Sequence, residues 1–168
     1  MKEDQKVRRL IIGNDHGGYE LKLKILDSLA DRSIEVTDVG SDHTGIVRYP
    51  YYAARVAGAV SRGEHSRGIL ICSTGIGMSI IANKFRGVRA AHVTGSYTAR
   101  MTRLHNDSNI LCLGGKILGV DAALDIVDIW LSTGYMGGRH DISLDLIREA
   151  EETMIGDGCW ETEKDEER

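Results

Sequence analysis

Short, continuous apolar runs alternate along the chain with longer stretches in which apolar residues recur every three or four positions. The short runs predict β-strands, and the periodic stretches predict α-helices with one face against a core. Strands are predicted over residues 7–12, 34–39, 68–72, 89–93 and 110–113. Helices are predicted over residues 19–31, 52–62, 78–84, 97–105, 120–131 and 143–154.

This regular succession of βα units predicts the fold class. It is typical of an α/β fold in which an open, mostly parallel five-stranded sheet carries helices on both faces. The run 68–72 is apolar throughout, as expected for a strand that is covered on both faces. We find no internal repeat or linker, so we expect one domain over residues 1–155 and an acidic tail over residues 156–168.

The predicted fold also indicates where to look for chemistry. In an open parallel sheet, ligands bind in the crevice beyond the carboxyl ends of the strands. The polar segments at those ends are residues 14–16, 38–50, 73–77, the turn after Val93, and residues 114–116. We therefore expect these segments to open on one side of the sheet.

Composition and charge narrow the classes of function. The apolar fraction of 42% and the charged fraction of 27% are ordinary for a soluble globular protein. A net charge of -4 argues against binding nucleic acid, which requires clustered Lys and Arg. We see no apolar run that predicts a membrane span or a signal peptide. The three cysteines have no paired spacing, which favours reduced thiols in a cytoplasmic protein.

The strongest local signal is the sequence CSTGIG over residues 72–77. Cys72 ends a buried strand, and a glycine-rich turn then leads into a helix, where backbone amides favour an oxyanion or a thiolate. On position alone, Cys72 is equally acceptable as a small buried apolar residue. A nucleotide-binding fingerprint fits poorly, because a third glycine and a phosphate-loop lysine are missing.

Polar side chains near other element ends are further candidates. Asp15 closes the first predicted strand, so it is a candidate ligand or acid–base group, although capping the next helix explains it as well. His105 and Asn106 end a helix, where such residues often satisfy carbonyl groups or form the turn. Arg139 and His140 follow two glycines and could hold an anion.

The remaining potential ligands give little support to a metal site. The chain has no CxxC, HExxH or other recognised metal-binding spacing. Cys112 falls within a predicted strand and is expected in the core, and Cys159 falls in the tail, where no role is visible.

Six segments spread over residues 11–140 together resemble the B-type ribose-5-phosphate isomerases, a family shared with the galactose-6-phosphate isomerase subunits. They are IGNDHGGYELK, YPYYA, GILICSTGIGMSIIANKF, GVRAA, SYTARMTRLHNDSNILCLGGKILG and GGRH. The resemblance implies a Rossmann-like three-layer α/β/α sandwich, a phosphorylated sugar as substrate and no cofactor. It also implies a homodimer with shared active sites, and leaves a dimer of dimers open.

The resemblance also implies the role of each matching residue. Cys72 corresponds to the base that moves a proton between C1 and C2 of the sugar through an enediolate. Thr74 and the amides of residues 75–77 correspond to the anion hole that stabilises this intermediate. His105 corresponds to the group that opens the furanose ring. The residues expected to contact the substrate are Asp15, His16, Tyr49, Ser73, Gly75, Ile76, Gly77, Asn106, Lys116, Arg139 and His140.

Three positions depart from the family pattern, and the first two of them leave the substrate open. Arg48 replaces the usual aspartate before the Tyr-Pro pair, Ser143 replaces a second arginine after the Arg-His pair, and Ser73 replaces a common glycine. The leading interpretation is interconversion of D-ribose 5-phosphate and D-ribulose 5-phosphate. The same reaction on galactose 6-phosphate, allose 6-phosphate or a tetrose phosphate is an alternative. A non-catalytic sugar-phosphate-binding module is less favoured, because a binder needs no carbon-acid base.

Overall fold

A computed structural model of the protein describes residues 7–155. The predicted acidic tail, including Cys159, lies outside the described residues. The described chain forms two compact units, of which the first ends at Met136 and the second begins at Gly137.

The first unit contains one five-stranded sheet in which every pair of neighbouring strands is parallel. Its strands are β1 (Arg9–Asn14), β2 (Glu35–Asp38), β3 (Gly68–Cys72), β4 (Ala90–His92) and β5 (Ile110–Gly114). They lie in the order β2-β1-β3-β5-β4. The predicted α/β fold with a parallel five-stranded sheet is confirmed.

The helices follow the strands as the periodicity predicts. They are α1 (Tyr19–Asp31), α2 (Tyr49–Ser61), α3 (Ile76–Ala82), α4 (Ser96–Asn106), α5 (Val120–Ser132) and α6 (Arg139–Ile155). Four predicted starts differ from the structure: α3 begins at Ile76 and α4 at Ser96, within about two residues of the prediction, whereas α2 and α6 differ by more. Helix α2 begins at Tyr49 and not at residue 52, because Pro50 fits the first turn, where its missing N–H would have no intrahelical partner. Helix α6 begins at Arg139 and not at residue 143.

Two apolar clusters join the helices to the two faces of the sheet. Side chains of α1, α4 and α5, among them Ile25, Ala99 and Trp130, pack on one face. Side chains of α2 and α3, including Val56 and Met78, pack on the other face. Full burial of a large apolar side chain stabilises the fold by about 1.5–3 kcal/mol. The predicted three-layer α/β/α arrangement is confirmed.

The strand order creates a switch point between β1 and β3. These neighbouring strands are paired in register, with Asn14 opposite Ile71. From β1 the chain crosses to β2 on one side, whereas β3 leads to β5 and β4 on the other side. A crevice forms where the strand order reverses, beyond the carboxyl ends of these two strands. Asp15 and Cys72 therefore stand at the position where the fold favours a ligand.

The second unit is described by itself. Its helix α6 follows Gly137 and Gly138, which both have positive φ angles, and an ion pair of 2.8 Å joins Arg148 to Asp145. Among the helices of residues 7–155, none is both long and apolar enough to cross a membrane.

Candidate active site

The turn after β3 encloses the Cys72 thiol. Cys72 is 5% exposed at the carboxyl end of the strand. The backbone N–H of Gly75 donates a hydrogen bond to its Sγ atom, with a nitrogen–sulfur distance of 3.1 Å. An amide that points at sulfur favours negative charge on it. The thiol is thus both buried and held by a polar contact. Simple core packing explains the burial but not the polar contact.

Only glycine fits position 75. Its φ of +81° lies in the left-handed region, which side chains disfavour. A Cβ atom there would also approach Leu113 C to 2.9 Å and His92 Cδ2 to 2.7 Å. The backbone must therefore be bare at this residue for its amide to reach the sulfur.

The loop after β1 packs directly against this turn. The Asp15 N–H donates to Ile71 O at 3.1 Å, and the Asp15 carboxylate, which is almost buried, accepts from the N–H of Gly17 at 2.8 Å. The cap of α1 is Gly18, without a side-chain bond. Asp15 therefore closes a turn beside Cys72 and is not the helix cap that the sequence left open.

His16 is held in one tautomer by the loop between β2 and α2. The N–H of Val47 donates to His16 Nδ1 at 3.3 Å, which assigns the proton of the neutral ring to Nε2. Nε2 can then donate to a hydroxyl or phosphate oxygen. The same loop forms a groove of about 560 Å³ over this part of the sheet edge. The groove is lined by Asp15, His16, Ile46, Val47, Arg48, Tyr49, Pro50 and Tyr51.

Tyr49 and Lys116 complete the carboxyl edge. Tyr49 begins α2, and its ring lies over the first turn of α3, where a Cβ on Gly77 would approach Tyr49 Cζ to 2.7 Å. Lys116 follows β5, with its N–H bonded to Ser73 O at 3.0 Å and its side chain exposed. The structure therefore gathers Asp15, His16, Tyr49, Lys116 and the turn at residues 72–77 at one edge.

His105 and Asn106 lie elsewhere. Helix α4 starts beyond the carboxyl end of β4 and runs back for about 16 Å, at 1.5 Å per residue. At its end the carbonyl of Asn106 accepts from Arg89 Nε at 3.0 Å, and Arg89 immediately precedes β4. His105 and Asn106 are thus at the amino edge of the sheet, opposite to Cys72 of the same chain.

Arg139 and His140 belong to the second unit. Both stand in the first turn of α6, where the side chain of Arg139 is exposed and that of His140 is half-buried. Ser143, which replaces the second arginine of the family pattern, follows one turn later in the same helix.

Two residues support the site from within the fold. The sequence did not indicate Lys22 at all, and it marked Asn14 only as part of the polar segment 14–16. Lys22 is only 2% exposed, and its Nζ lies 2.7 Å from Ser41 O and 2.8 Å from Asp38 Oδ2. Asn14 is fully buried, and its Nδ2 donates to Asp15 O at 2.8 Å and to Ser41 O at 3.3 Å. A lysine on a helix is normally exposed, so nothing in the pattern marked Lys22. Lys22 joins the β2–α2 loop to α1, and Asn14 joins the same loop to the end of β1.

His92 was also missed, although a signal existed. It ends β4 and approaches Gly75 closely, which places an imidazole beside the turn after β3. The rule that ligands bind beyond the carboxyl ends of the strands, which singled out Asp15, also applies to His92.

The second thiol of the sheet has a different character. Cys112 lies within β5 and is fully buried, and burial, with the neighbouring Cys72 as a smaller cause, raises the pKa of its thiol. Its predicted place in the core is confirmed. Within the described part of the chain, no three side chains of His, Cys, Asp or Glu are grouped to hold a metal ion.

Comparison with known proteins gives a consistent result. The chain matches the family described as ribose/galactose isomerase over residues 10–147. Ribose-5-phosphate isomerase B of Escherichia coli (strain K12) is 43% identical over 146 residues, which are 87% of this chain and 98% of that protein. D-erythrulose-4-phosphate isomerase of Pectobacterium atrosepticum is 40% identical over 130 residues, or 77% of this chain and 86% of that protein.

A solved structure agrees in fold as well as in sequence. Ribose-5-phosphate isomerase B of Clostridium thermocellum is 51% identical, with a TM-score of 0.85 over 87% of this chain and 99% of the other. The sequence match also covers the whole sheet except Arg9, the first residue of β1, and it includes the edge at which Asp15 and Cys72 meet. The chain therefore belongs to the ribose/galactose isomerase family, and it is a sugar-phosphate isomerase.

Proposed function

We propose that this isomerase interconverts D-ribose 5-phosphate and D-ribulose 5-phosphate, with Cys72 as the base. The observation that carries the proposal is the hydrogen bond from the Gly75 amide to Cys72 Sγ at the switch point of the sheet. The relatives of this chain include ribose-5-phosphate isomerase B. An amide at this distance can donate a hydrogen bond to the thiolate, which is the form that can accept a proton.

The proton transfer follows from this arrangement. In the aldose-to-ketose direction, the thiolate takes the proton from C2 of the open-chain sugar, and an enediolate forms across C1 and C2. The hydroxyl proton of O2 passes to O1, and the proton held by sulfur returns to C1. The amides of Ile76 and Gly77 open helix α3 next to the thiol, where backbone donors stabilise the developing oxyanion. Thr74, in the same turn, is the proposed side-chain member of this anion hole.

The neighbouring polar groups suit an extended sugar phosphate. We propose that Asp15 accepts hydrogen bonds from sugar hydroxyls and that His16 Nε2 donates one. The Tyr49 ring bounds the sugar, and Lys116 provides charge for the phosphate. The predicted phosphate contacts of Arg139 and His140 rest on the family resemblance alone. Cations and amides are the groups that hold phosphate in proteins.

We propose that the active unit is a homodimer in which His105 and Asn106 act on the Cys72 of a second copy. The proposal is supported by their position at the amino edge of their own sheet, on the far side from their own Cys72. In this arrangement His105 opens the furanose ring and Asn106 binds a hydroxyl group.

Exchange of carbon-bound protons tests the reaction and the base together. The protein is incubated with tetrose, pentose and hexose phosphates in deuterated water, and deuterium at C1 and C2 is followed by NMR. We expect exchange with ribose 5-phosphate and a loss of about 10²–10⁴-fold or more in Cys72→Ala. Cys112→Ala, which removes the other buried thiol of the sheet, is the matched control and should keep the activity. Near-parental turnover by Cys72→Ala would refute the assignment of the base.

A tetrose or hexose phosphate is the second candidate substrate, and one observation favours it. Arg48 lines the same groove as Asp15 and His16, so a guanidinium is available where the family pattern has an aspartate. A sugar of different length could place its phosphate there. If so, Arg48→Ala raises KM on that sugar by about 10–100-fold, the effect of one charge-assisted hydrogen bond. An Arg48→Ala variant with unchanged KM on every substrate assigns Arg48 to the solvated surface.

A further inference from the structure

Three arginines converge on one carboxylate at the amino edge of the sheet. Arg103 Nη1 lies 2.7 Å from Asp107 Oδ1, and Arg89 Nη2 lies 2.9 Å from Asp107 Oδ2. Arg67 Nη2 lies 4.0 Å from Asp107 Oδ1. We call these four side chains the arginine cluster. Arg67 and Arg89 immediately precede β3 and β4, and Arg103 and Asp107 lie at the end of α4. The cluster therefore lies at the opposite edge of the sheet from Cys72.

The arginine cluster has an excess of positive charge. Three guanidinium groups face one carboxylate, and the carboxyl end of helix α4 adds a partial charge of about −0.5. The local net charge is therefore about +1.5, in a region where the arginine side chains are between 3% and 27% exposed.

The hydrogen bonds of the cluster leave Arg67 poorly satisfied. Arg103 donates to Asp107, to Ser108 O at 2.6 Å and to Thr133 O at 3.2 Å. Arg89 donates to Asp107 and to the carbonyl groups at the end of α4. Arg67 makes only a 3.3 Å bond to the carbonyl of Ser66, and Asp107 is its sole ion-pair partner among residues 7–155.

Arg67 is nonetheless half-buried and held in place. Its side chain is 20% exposed, and its guanidinium carbon lies 5.7 Å from the centre of the Trp130 ring, against which Arg103 also packs at 5.9 Å. Burial, and then the charge of Arg103, lower the pKa of Arg67 to about 10, so the group remains a cation at neutral pH. The N–H groups of Arg67 that have no partner in the protein are not buried, so an anion from solvent can accept hydrogen bonds from them.

A pocket of about 340 Å³ opens beside this guanidinium. Arg67 and Arg103 line it together with Ser66 and Thr133. All of its lining residues belong to the first unit.

We propose that this pocket binds a phosphate-type oxyanion, either inorganic phosphate or the phosphoryl group of a small metabolite, through the unsatisfied guanidinium of Arg67 with Arg103 behind it. A planar guanidinium presents two parallel donors to such an anion. Within one chain the site lies at the opposite edge of the sheet from the groove, and it does not depend on the proposed function.

Binding of inorganic phosphate, measured by isothermal titration calorimetry at constant ionic strength, tests the proposal. Arg67→Gln should weaken one phosphate site per chain by about 10–100-fold. Arg9→Gln is the matched control, because Arg9 is exposed at the same edge and outside the pocket, and it should bind as the parent does. Turnover of sugar phosphate in phosphate-free buffer should be unchanged in both variants.

Two further measurements make the outcome decisive. Arg67→Lys keeps the positive charge but not the two parallel donors of the guanidinium, so it should bind phosphate more weakly than the parent. This variant carries the test if Arg67→Gln does not fold. Competition by glycerol 3-phosphate would identify a metabolite's phosphoryl group as a ligand, and its failure would restrict the site to the free ion. Equal phosphate affinity and stoichiometry in Arg67→Gln and the parent would overturn the proposal. So would a loss of phosphate binding matched by an equal rise in the KM for sugar phosphate.

Discussion

At the scale of single residues, the two described cysteines show how position decides chemistry. Cys72 and Cys112 lie on neighbouring strands, and both are at least nine-tenths buried. Cys72 ends its strand and receives the Gly75 amide, whereas Cys112 lies inside its strand among apolar side chains. The same side chain is therefore polarised in one place and inert in the other.

This contrast predicts selective alkylation. Because burial raises the pKa of Cys112, little of its thiolate is present at neutral pH. Raising the pH while the protein stays folded should deprotonate little of this thiol. Iodoacetamide should modify Cys72 and leave Cys112 intact in the folded protein, as measured by peptide mass spectrometry. A Cys159→Ser background removes the third thiol. Labelling of Cys112 at the rate of Cys72 would contradict the assignment, and labelling of both in denaturant is the control.

The turn that holds the thiol should be equally sensitive. Gly75→Ala imposes a left-handed conformation on alanine, at a cost of about 1–2 kcal/mol, and adds a Cβ that collides with the backbone of Leu113. We expect lower stability and a large loss of turnover, measured by thermal unfolding and steady-state kinetics. Gly63→Ala is the control, since Gly63 also has a positive φ but open space around its Cβ. It should lose stability only, and an equal loss of turnover there would argue against a special role for Gly75.

At the scale of elements, the loop between β2 and α2 is held from behind by a helix. Lys22 of α1 reaches Ser41 and Asp38 through the interior, while the far side of the loop lines the groove above Asp15. The buried lysine therefore connects the packing of α1 to the shape of the proposed substrate groove.

Replacing this lysine should affect both stability and binding. Lys22→Met keeps the apolar stem but leaves the Ser41 carbonyl without its charged donor, which should cost about 1–3 kcal/mol. We also expect a higher KM with a smaller change in kcat, because in the proposed site the loop contacts the substrate away from the reacting carbons. Lys24→Met, on the exposed face of the same helix, is the control. A variant of Lys22 with parental KM and melting temperature would show that the loop is held by other contacts.

At the scale of the whole molecule, one chain does not complete the proposed site. The direction of α4 places His105 at the amino edge, and a single sheet cannot bring its two edges together. In the proposed homodimer a second copy of the chain supplies the missing groups, so assembly would be part of catalysis.

Subunit mixing tests this requirement. Cys72→Ala and His105→Ala should each be nearly inactive, because each removes a group from every site of its homodimer. A hybrid dimer has one site with both groups intact, so mixing the variants under conditions of verified subunit exchange should restore about a quarter of the activity, as random pairing predicts for two-fold assemblies. Native mass spectrometry would confirm the hybrid. If a verified hybrid remains inactive, the two residues do not act in one shared site.

The sequence determined the order of elements and most of one sheet edge. Apolar runs and helical periodicity are local properties, so the βα succession and the strand 68–72 could be read directly, and the crevice rule then selected Asp15 and Cys72. Boundaries were less certain where a local signal had two meanings: Pro50 indicated a loop, although it also fits the first turn of a helix. The single domain over residues 1–155 and the cytoplasmic location stay predictions.

Tertiary structure decided the facts that depend on distant parts of the chain. Packing of segments from different parts of the chain produces the pairing of β1 with β3 and the burial of Lys22. The fold also fixes the turn that brings the Gly75 amide to the sulfur of Cys72. The separation of His105 from Cys72 depends on the direction in which α4 crosses the sheet, and the crowding of Arg67, Arg89 and Arg103 on Asp107 depends on the strand order. Residue types carry the chemistry, but charge and hydrogen bonding act over a few ångströms, and only the folded chain sets those distances.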